Sequence, residues 1–150
     1  MMKTLIVFDS RFGNTEKVAK TICGAISGEV DIVRSSDVDY DKLGSVDLLI
    51  VGSPTWGGKP SSEMRKFLND IPKTSLENVK VACFDTRDNS MLTKVFGKAA
   101  GRIAKSLKDK GGTLIAPPEG FIVKGLQGPL EDGALERAAK WAKTIVFDKK

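Results

Sequence analysis

The sequence predicts a doubly wound α/β fold, a five-stranded parallel sheet with helices on both faces, and three observations carry that expectation. Apolar, β-rich runs recur at Lys3–Phe8, Val30–Val33, Asp47–Val51, Val79–Phe84 and Thr113–Ile115. The runs lack polar alternation, as strands buried on both faces do. The intervals between them are long and amphipathic, which suits the crossover helices that parallel neighbours require.

In chain order, the first run leads into a helix over Asn14–Ser27, with Val18, Ala19, Ile22, Ala25 and Ile26 on one side and Gly28 as its stop. The segment Asp37–Leu43 is less regular. After the third run, Pro60 opens a helix over Ser61–Ile71 that turns Met64, Phe67 and Leu68 inward and ends at Pro72. The fourth run is followed by a helix over Thr93–Lys110. Its apolar face holds Phe96, Ala99, Ala100, Ile103 and Leu107, and Gly111-Gly112 closes it. A last helix over Glu131–Phe147 places Leu135, Ala138, Ala139, Ala142 and Val146 inward. No repeat or linker interrupts the chain, so residues 1–150 are expected to form one domain.

Composition narrows the function. No apolar run reaches the roughly 18 residues of a membrane span, and no charged-then-apolar leader is read at the start, so a soluble, cytoplasmic protein is expected. Cys23 and Cys83 fall in a helix and a buried strand and are expected to be inert reduced thiols. The net charge of +5 is too weak an excess to indicate nucleic acid. Histidine is absent, which removes the commonest general base and metal ligand and shifts the expectation toward a bound cofactor. No catalytic or metal-binding residue is assigned.

Ligands of open parallel sheets bind outside the carboxyl ends of the strands. Three loops follow there, Asp9–Thr15, Ser53–Lys59 and Asp85–Leu92. The first, Ser10-Arg11-Phe12-Gly13-Asn14-Thr15, combines hydroxyls with a helix start, whose N–H groups suit a phosphate. A capped turn in which Ser10, Asn14 and Thr15 only satisfy backbone groups fits the same residues. Neither G-x-x-x-x-G-K-[ST] nor G-x-G-x-x-G occurs, so the usual ATPase and dinucleotide signatures are missing. The second loop, Ser53-Pro54-Thr55-Trp56-Gly57-Gly58-Lys59-Pro60, sets a tryptophan at the crevice mouth, where it either stacks on a planar ligand or folds back on the surface. Gly57 and Gly58 can take positive φ.

These residues carry a resemblance. Ser10–Thr15 resembles the phosphate loop [ST]-x-T-G-N-T of the flavodoxin family, departing at Phe12, and Ser53–Gly58 resembles that family's second flavin loop. The likeness extends over the whole chain, through Gly128-Pro129-Leu130, Leu135-Glu136-Arg137-Ala138 and Trp141-Ala142. It implies the strand order 2-1-3-4-5 and one noncovalent FMN. Ser10, Arg11, Phe12, Gly13, Asn14 and Thr15 would wrap the phosphate with hydroxyl and amide donors, Arg11 being mostly a bystander. Pro54, Thr55, Trp56, Gly57 and Gly58 would form the flavin loop, with Trp56 over one ring face and the Gly57 carbonyl placed to accept a hydrogen bond from the reduced ring. Asp85, Thr86, Arg87 and Asp88 would supply the third loop. That loop lacks the family's frequent tyrosine, since the only tyrosine is Tyr40. Arg87 or Met91 would cover the second face, or the face stays open; alternatively Arg87 forms a surface ion pair with Asp85 or Asp88.

The resemblance implies an electron carrier rather than a substrate-converting enzyme, shuttling single electrons between partner proteins such as a reductase or an iron–sulfur protein. A stripe of Lys94, Lys98, Arg102, Lys105 and Lys108 is either ordinary solvated surface or a docking face for an acidic partner. Two other readings stay open: a small FMN-dependent quinone or NAD(P)H reductase, and a flavin-free module. A receiver-like phosphorylation site fits poorly, because the third strand runs into Ser53-Pro54 rather than an aspartate.

Overall fold

A computed structural model describes residues 2–88, 98–125 and 127–146. Its strands are β1 (Lys3–Phe8), β2 (Glu29–Arg34), β3 (Leu48–Trp56), β4 (Lys59–Pro60), β5 (Lys80–Asp88), β6 (Thr113–Leu114) and β7 (Glu119–Val123). Its helices are α1 (Asn14–Ala25), α2 (Ser62–Asp70), α3 (Ala99–Asp109) and α4 (Ala134–Ile145). The irregular segment after β2 forms two 3-10 turns, Ser35–Asp37 and Tyr40–Ser45.

The sheet runs β2-β1-β3-β5-β6, all parallel, with β7 continuing the last position beside β5 and β4 folding back on β3. This is the expected order 2-1-3-4-5, its fifth strand split in two. The alternation of strand side chains builds a core on each face. Ile6, Phe8, Leu48, Ile50 and Phe84 pack with α1 and α4 on one side. Val7, Leu49, Val51, Val81 and Cys83 pack with α2 and α3 on the other. On the first face Phe84, Phe121 and Trp141 meet edge-on at 6.0–6.5 Å, the arrangement that ring quadrupoles favour.

Several boundaries differ from expectation. Residues 54–56 and 86–88 are strand rather than loop. Pairing continues to Pro54↔Thr86, and β7 then pairs with Phe84 through Asp88. β1 ends opposite Gly52, so Pro54 lies where β3 has become an edge on that side and a missing N–H is tolerated. β7 itself was not expected. The third predicted helix does not include Lys98, whose backbone is extended. Phe96 and Lys94 lie outside the described residues. The last helix begins three residues late, because Leu130 bridges Val123 and the Glu131 N–H donates to the Ile122 carbonyl at 2.8 Å. Its buried stripe is therefore Ala134, Ala138, Trp141, Ala142 and Ile145, while Leu135 and Val146 face solvent. Val146 is extended, and Phe147 lies outside the described residues.

Candidate functional site

The carboxyl ends of β1, β3, β5 and β7 open onto one crevice. It is lined by Ser10, Arg11, Phe12, Asn14 and Thr15 from the first loop, Pro54, Thr55 and Trp56 from β3, Thr86, Arg87 and Asp88 from β5, and Val123 and Gly125. Four of the residues singled out in the sequence do not line it. Gly13 sits between lining residues at the start of α1, Gly57 and Gly58 form the turn beyond Trp56, and Asp85 is buried beneath.

The first wall is built by hydrogen bonds inside the loop. The Ser10 hydroxyl accepts the N–H groups of Gly13 at 3.1 Å and Glu16 at 3.3 Å, so it fixes the loop's shape and caps α1. Asn14 donates through its amide to the Gln127 carbonyl at 3.1 Å, and the Thr15 and Thr86 hydroxyls share a hydrogen bond of 2.7 Å. Both side chains are buried. The first intrahelical bond runs from the Lys17 N–H to the Gly13 carbonyl. The Asn14 and Thr15 N–H groups, at the positive end of a 12-residue helix, have no acceptor among the described residues. Arg34 braces the loop from outside, donating to the Ser10 carbonyl at 3.2 Å and to Glu16 at 3.1 Å. Glu16, hydrogen-bonded by Lys20 and close to Arg34, is held below the usual carboxylate range.

The second wall is a hairpin. Trp56 pairs with Lys59 and Thr55 with Pro60 around Gly57-Gly58, whose φ values of 59° and 79° are those a primed two-residue turn requires. A Cβ at Gly57 would meet nothing within 4 Å, so the need for glycine is conformational. Trp56 is half-buried, and the Arg11 guanidinium lies 5.0 Å from its ring centre. Arg11 is thus a neighbour of the indole. Phe12 stands at the rim, 41% exposed.

Beneath the third wall, the fully buried Asp85 accepts the Arg87 Nε–H at 2.6 Å and the Ala100 N–H at 2.8 Å. The Ala99 N–H donates to the Thr55 hydroxyl at 3.4 Å, so β3 and β5 together pin the start of α3. Arg87 is held down by a buried ion pair with Asp85, not a surface one. Its guanidinium occupies the space above Gly120, where a Cβ would come within 2.2 Å. Cys83 is buried in β5, and burial pushes its thiol up to about 12. Met91 lies outside the described residues, and Tyr40 packs on Phe67 in the core, 5.9 Å between ring centres.

The sequence reading missed several residues that shape the crevice. Asp9 accepts a hydrogen bond from Ser61, the N-cap of α2, whose N–H donates to the Ser53 hydroxyl at 3.0 Å. The network joins the ends of β1, β3 and α2. Arg34, Val123, Gly125 and Gln127 come from distant sequence and carried no local signal.

Known proteins resemble this chain in sequence and fold. The flavodoxin family model matches residues 6–141. A probable flavodoxin 1 of Bacillus subtilis is 34% identical over 60% of this chain and 60% of its own length. A flavodoxin of Picosynechococcus is 28% identical over 81% of this chain and 74% of its own. The structure of oxidised flavodoxin 2 from Bacillus cereus superposes with a TM-score of 0.79 and 26% identity, covering 94% of this chain and 95% of that one. With the sheet order, the crevice and the match over residues 6–141 in agreement, the chain belongs to the flavodoxin family of FMN-binding electron-transfer proteins.

Proposed function

We propose that this chain holds FMN noncovalently in the crevice described above and carries single electrons between partner proteins. The observation that supports this reading best is the pair of N–H groups at Asn14 and Thr15, without acceptors among the described residues, on residues that line the same crevice as Trp56. Helix-start amides suit a phosphate, and an indole suits a flat ring, so the residues present fit the cofactor.

In this reading Asn14 and Thr15 donate their amides to the phosphate, and the Thr15–Thr86 and Asn14–Gln127 hydrogen bonds fix where those amides point. The Ser10 oxygen accepts two N–H groups, which shapes the loop and leaves its O–H to donate to the phosphate. Trp56 walls one side of the ring. Arg11 covers one face of that indole, so the ring either stacks on the other face or takes Arg11's place. Gly57 can reorient its peptide at little steric cost and so offer its carbonyl to a proton on the reduced ring. Bound FMN supplies reversible electron transfer, and the chain binds, orients and shields it. Pro54, Thr55, Gly58, Thr86 and Asp88 complete the frame.

A second reading, a small reductase that turns over a quinone with NAD(P)H, draws on one observation. Arg87 is tied to the buried Asp85, which restrains it from moving over a bound ring. Steady turnover of NAD(P)H and a quinone without added reductase would promote it over the carrier.

The test compares FMN with riboflavin, which lacks the phosphate. Two charge-assisted hydrogen bonds are worth roughly 3 kcal/mol or more together, so FMN is expected to bind on the order of 100-fold more tightly. Replacing Asn14 and Thr15 by alanine removes the bonds that aim the amides. It should weaken FMN at least tenfold while leaving riboflavin unchanged. Equal affinity for the two flavins would remove the phosphate-loop assignment.

A further inference from the structure

A second concavity opens on the α2–α3 side of the sheet. Lys59, Arg65 and Arg102 stand around it, with Lys110 at its far end and the buried Pro60 and Leu68 in its floor. Both helices run back from the carboxyl edge of the sheet, so the groove between them starts beside the candidate flavin crevice. Lys59 is itself the strand partner of Trp56.

The charges are not balanced locally. Lys59, Arg65 and Arg102 are exposed and have no hydrogen-bond or ion-pair partner among the described residues. Lys110 is engaged differently, donating to the Asn69 carbonyl at 3.1 Å and the Ile71 carbonyl at 2.5 Å at the end of α2. Asp109, which also lines the groove, pairs with Lys105 at 3.3 Å, and Asp70 at the end of α2 pairs with Lys66 at 2.7 Å. Of the basic stripe read in the sequence, Lys98 precedes α3, Lys105 is paired, and Arg102 turns into the groove.

We propose that this groove is the docking surface for an acidic partner protein, whose carboxylates pair with Lys59, Arg65 and Arg102 while its redox centre lies beside Trp56. The proposal rests on the electron-carrier reading and names the partner's chemistry. Charge complementarity with an apolar floor is the composition of a protein interface, in which charges steer encounter and apolar area holds it. The cations come from three separate elements on long side chains and bring no convergent backbone amides, which a small-anion site would need. The groove also has no aromatic lining on which the bases of a single strand would stack.

The experiment uses the full chain and a fluorescein-labelled peptide of sixteen Glu and Asp residues, read by anisotropy from low to physiological salt. Arg65→Glu with Arg102→Glu is compared with Lys140→Glu with Lys143→Glu on α4, the opposite side of the sheet, which changes net charge equally. The expected result is that the first pair weakens the peptide more than tenfold and flattens its salt dependence, while the second stays within twofold of wild type. Equal loss in both pairs, or in neither, overturns the site. Displacement of the peptide by stoichiometric pyrophosphate, or equal binding of a sixteen-nucleotide oligothymidylate at the same face, overturns the protein assignment. FMN affinity measured on the same samples tests the flavin site separately, and stepwise reduction of the bound FMN tests the carrier reading, because the peptide measurement needs no flavin.

Discussion

Asp85 has no exposed surface, and each of its oxygens accepts a hydrogen bond, one from Arg87 and one from the Ala100 N–H. A buried carboxylate that loses its cation costs about 3 kcal/mol or more, because desolvation is no longer offset. Arg87→Ala should therefore destabilise the protein by about that amount in urea unfolding. Gly120→Ala acts on the same pair, since its Cβ would lie 2.2 Å from the Arg87 guanidinium and push it away. With Arg87 already removed, Gly120→Ala has nothing to displace, so the double variant should cost less than the two single costs added, by roughly 1–3 kcal/mol. Additive costs would show that Arg87 does not need the space above Gly120. Cys83 adds a pH dependence of known sign. Its thiol keeps its proton in the fold to about pH 12, whereas an unfolded thiol loses it near 8.5. Its stabilisation is thus present below the unfolded value and is lost as pH rises toward the folded one.

The β3–β4 hairpin is the element that sets Trp56 at the crevice. Its two central residues are glycines in the left-handed region, and the turn hands the chain to the Ser61 cap of α2 three residues later. If the indole walls the ring, Trp56→Ala should raise the fluorescence of bound FMN and weaken binding by about 1 kcal/mol, roughly fivefold. Unchanged fluorescence would place Trp56 away from the flavin. At this scale the sequence was legible where local chemistry decides the outcome. The α1 start at Asn14, the Gly57-Gly58 turn, the inward Met64, Phe67 and Leu68, and the two buried faces of the central strands all follow from spacing and residue type. It was not legible where distant partners decide. β7 contains Gly120, a poor strand residue on its own, and forms because β5 pairs with it and Arg87 fills the space above. The buried face of α4 does recur at helical spacing, through Ala134, Ala138, Trp141, Ala142 and Ile145, but the start of the helix is set by the Leu130 bridge to Val123, which no periodicity within the helix reveals.

At the scale of the whole molecule, the two cores divide the labour. The α1–α4 face carries the helix that starts at the crevice, while the α2–α3 face carries the cationic groove, and the crevice lies where the sheet edge joins them. The side chains that frame the crevice were largely legible, because helix starts, hydroxyls and a tryptophan in strand-end loops point to one chemistry. Their supports, Arg34, Asp9 and Gln127, were not, because each acts through a contact formed only in the fold. Whether this frame holds FMN as a one-electron carrier is decided by adding FMN to the purified protein and reducing it stepwise with dithionite without oxygen. The expected result is a shifted flavin spectrum saturating at one FMN per chain and reduction in two resolved one-electron steps. No spectral shift on adding FMN would contradict the site, and a single two-electron conversion would contradict the carrier.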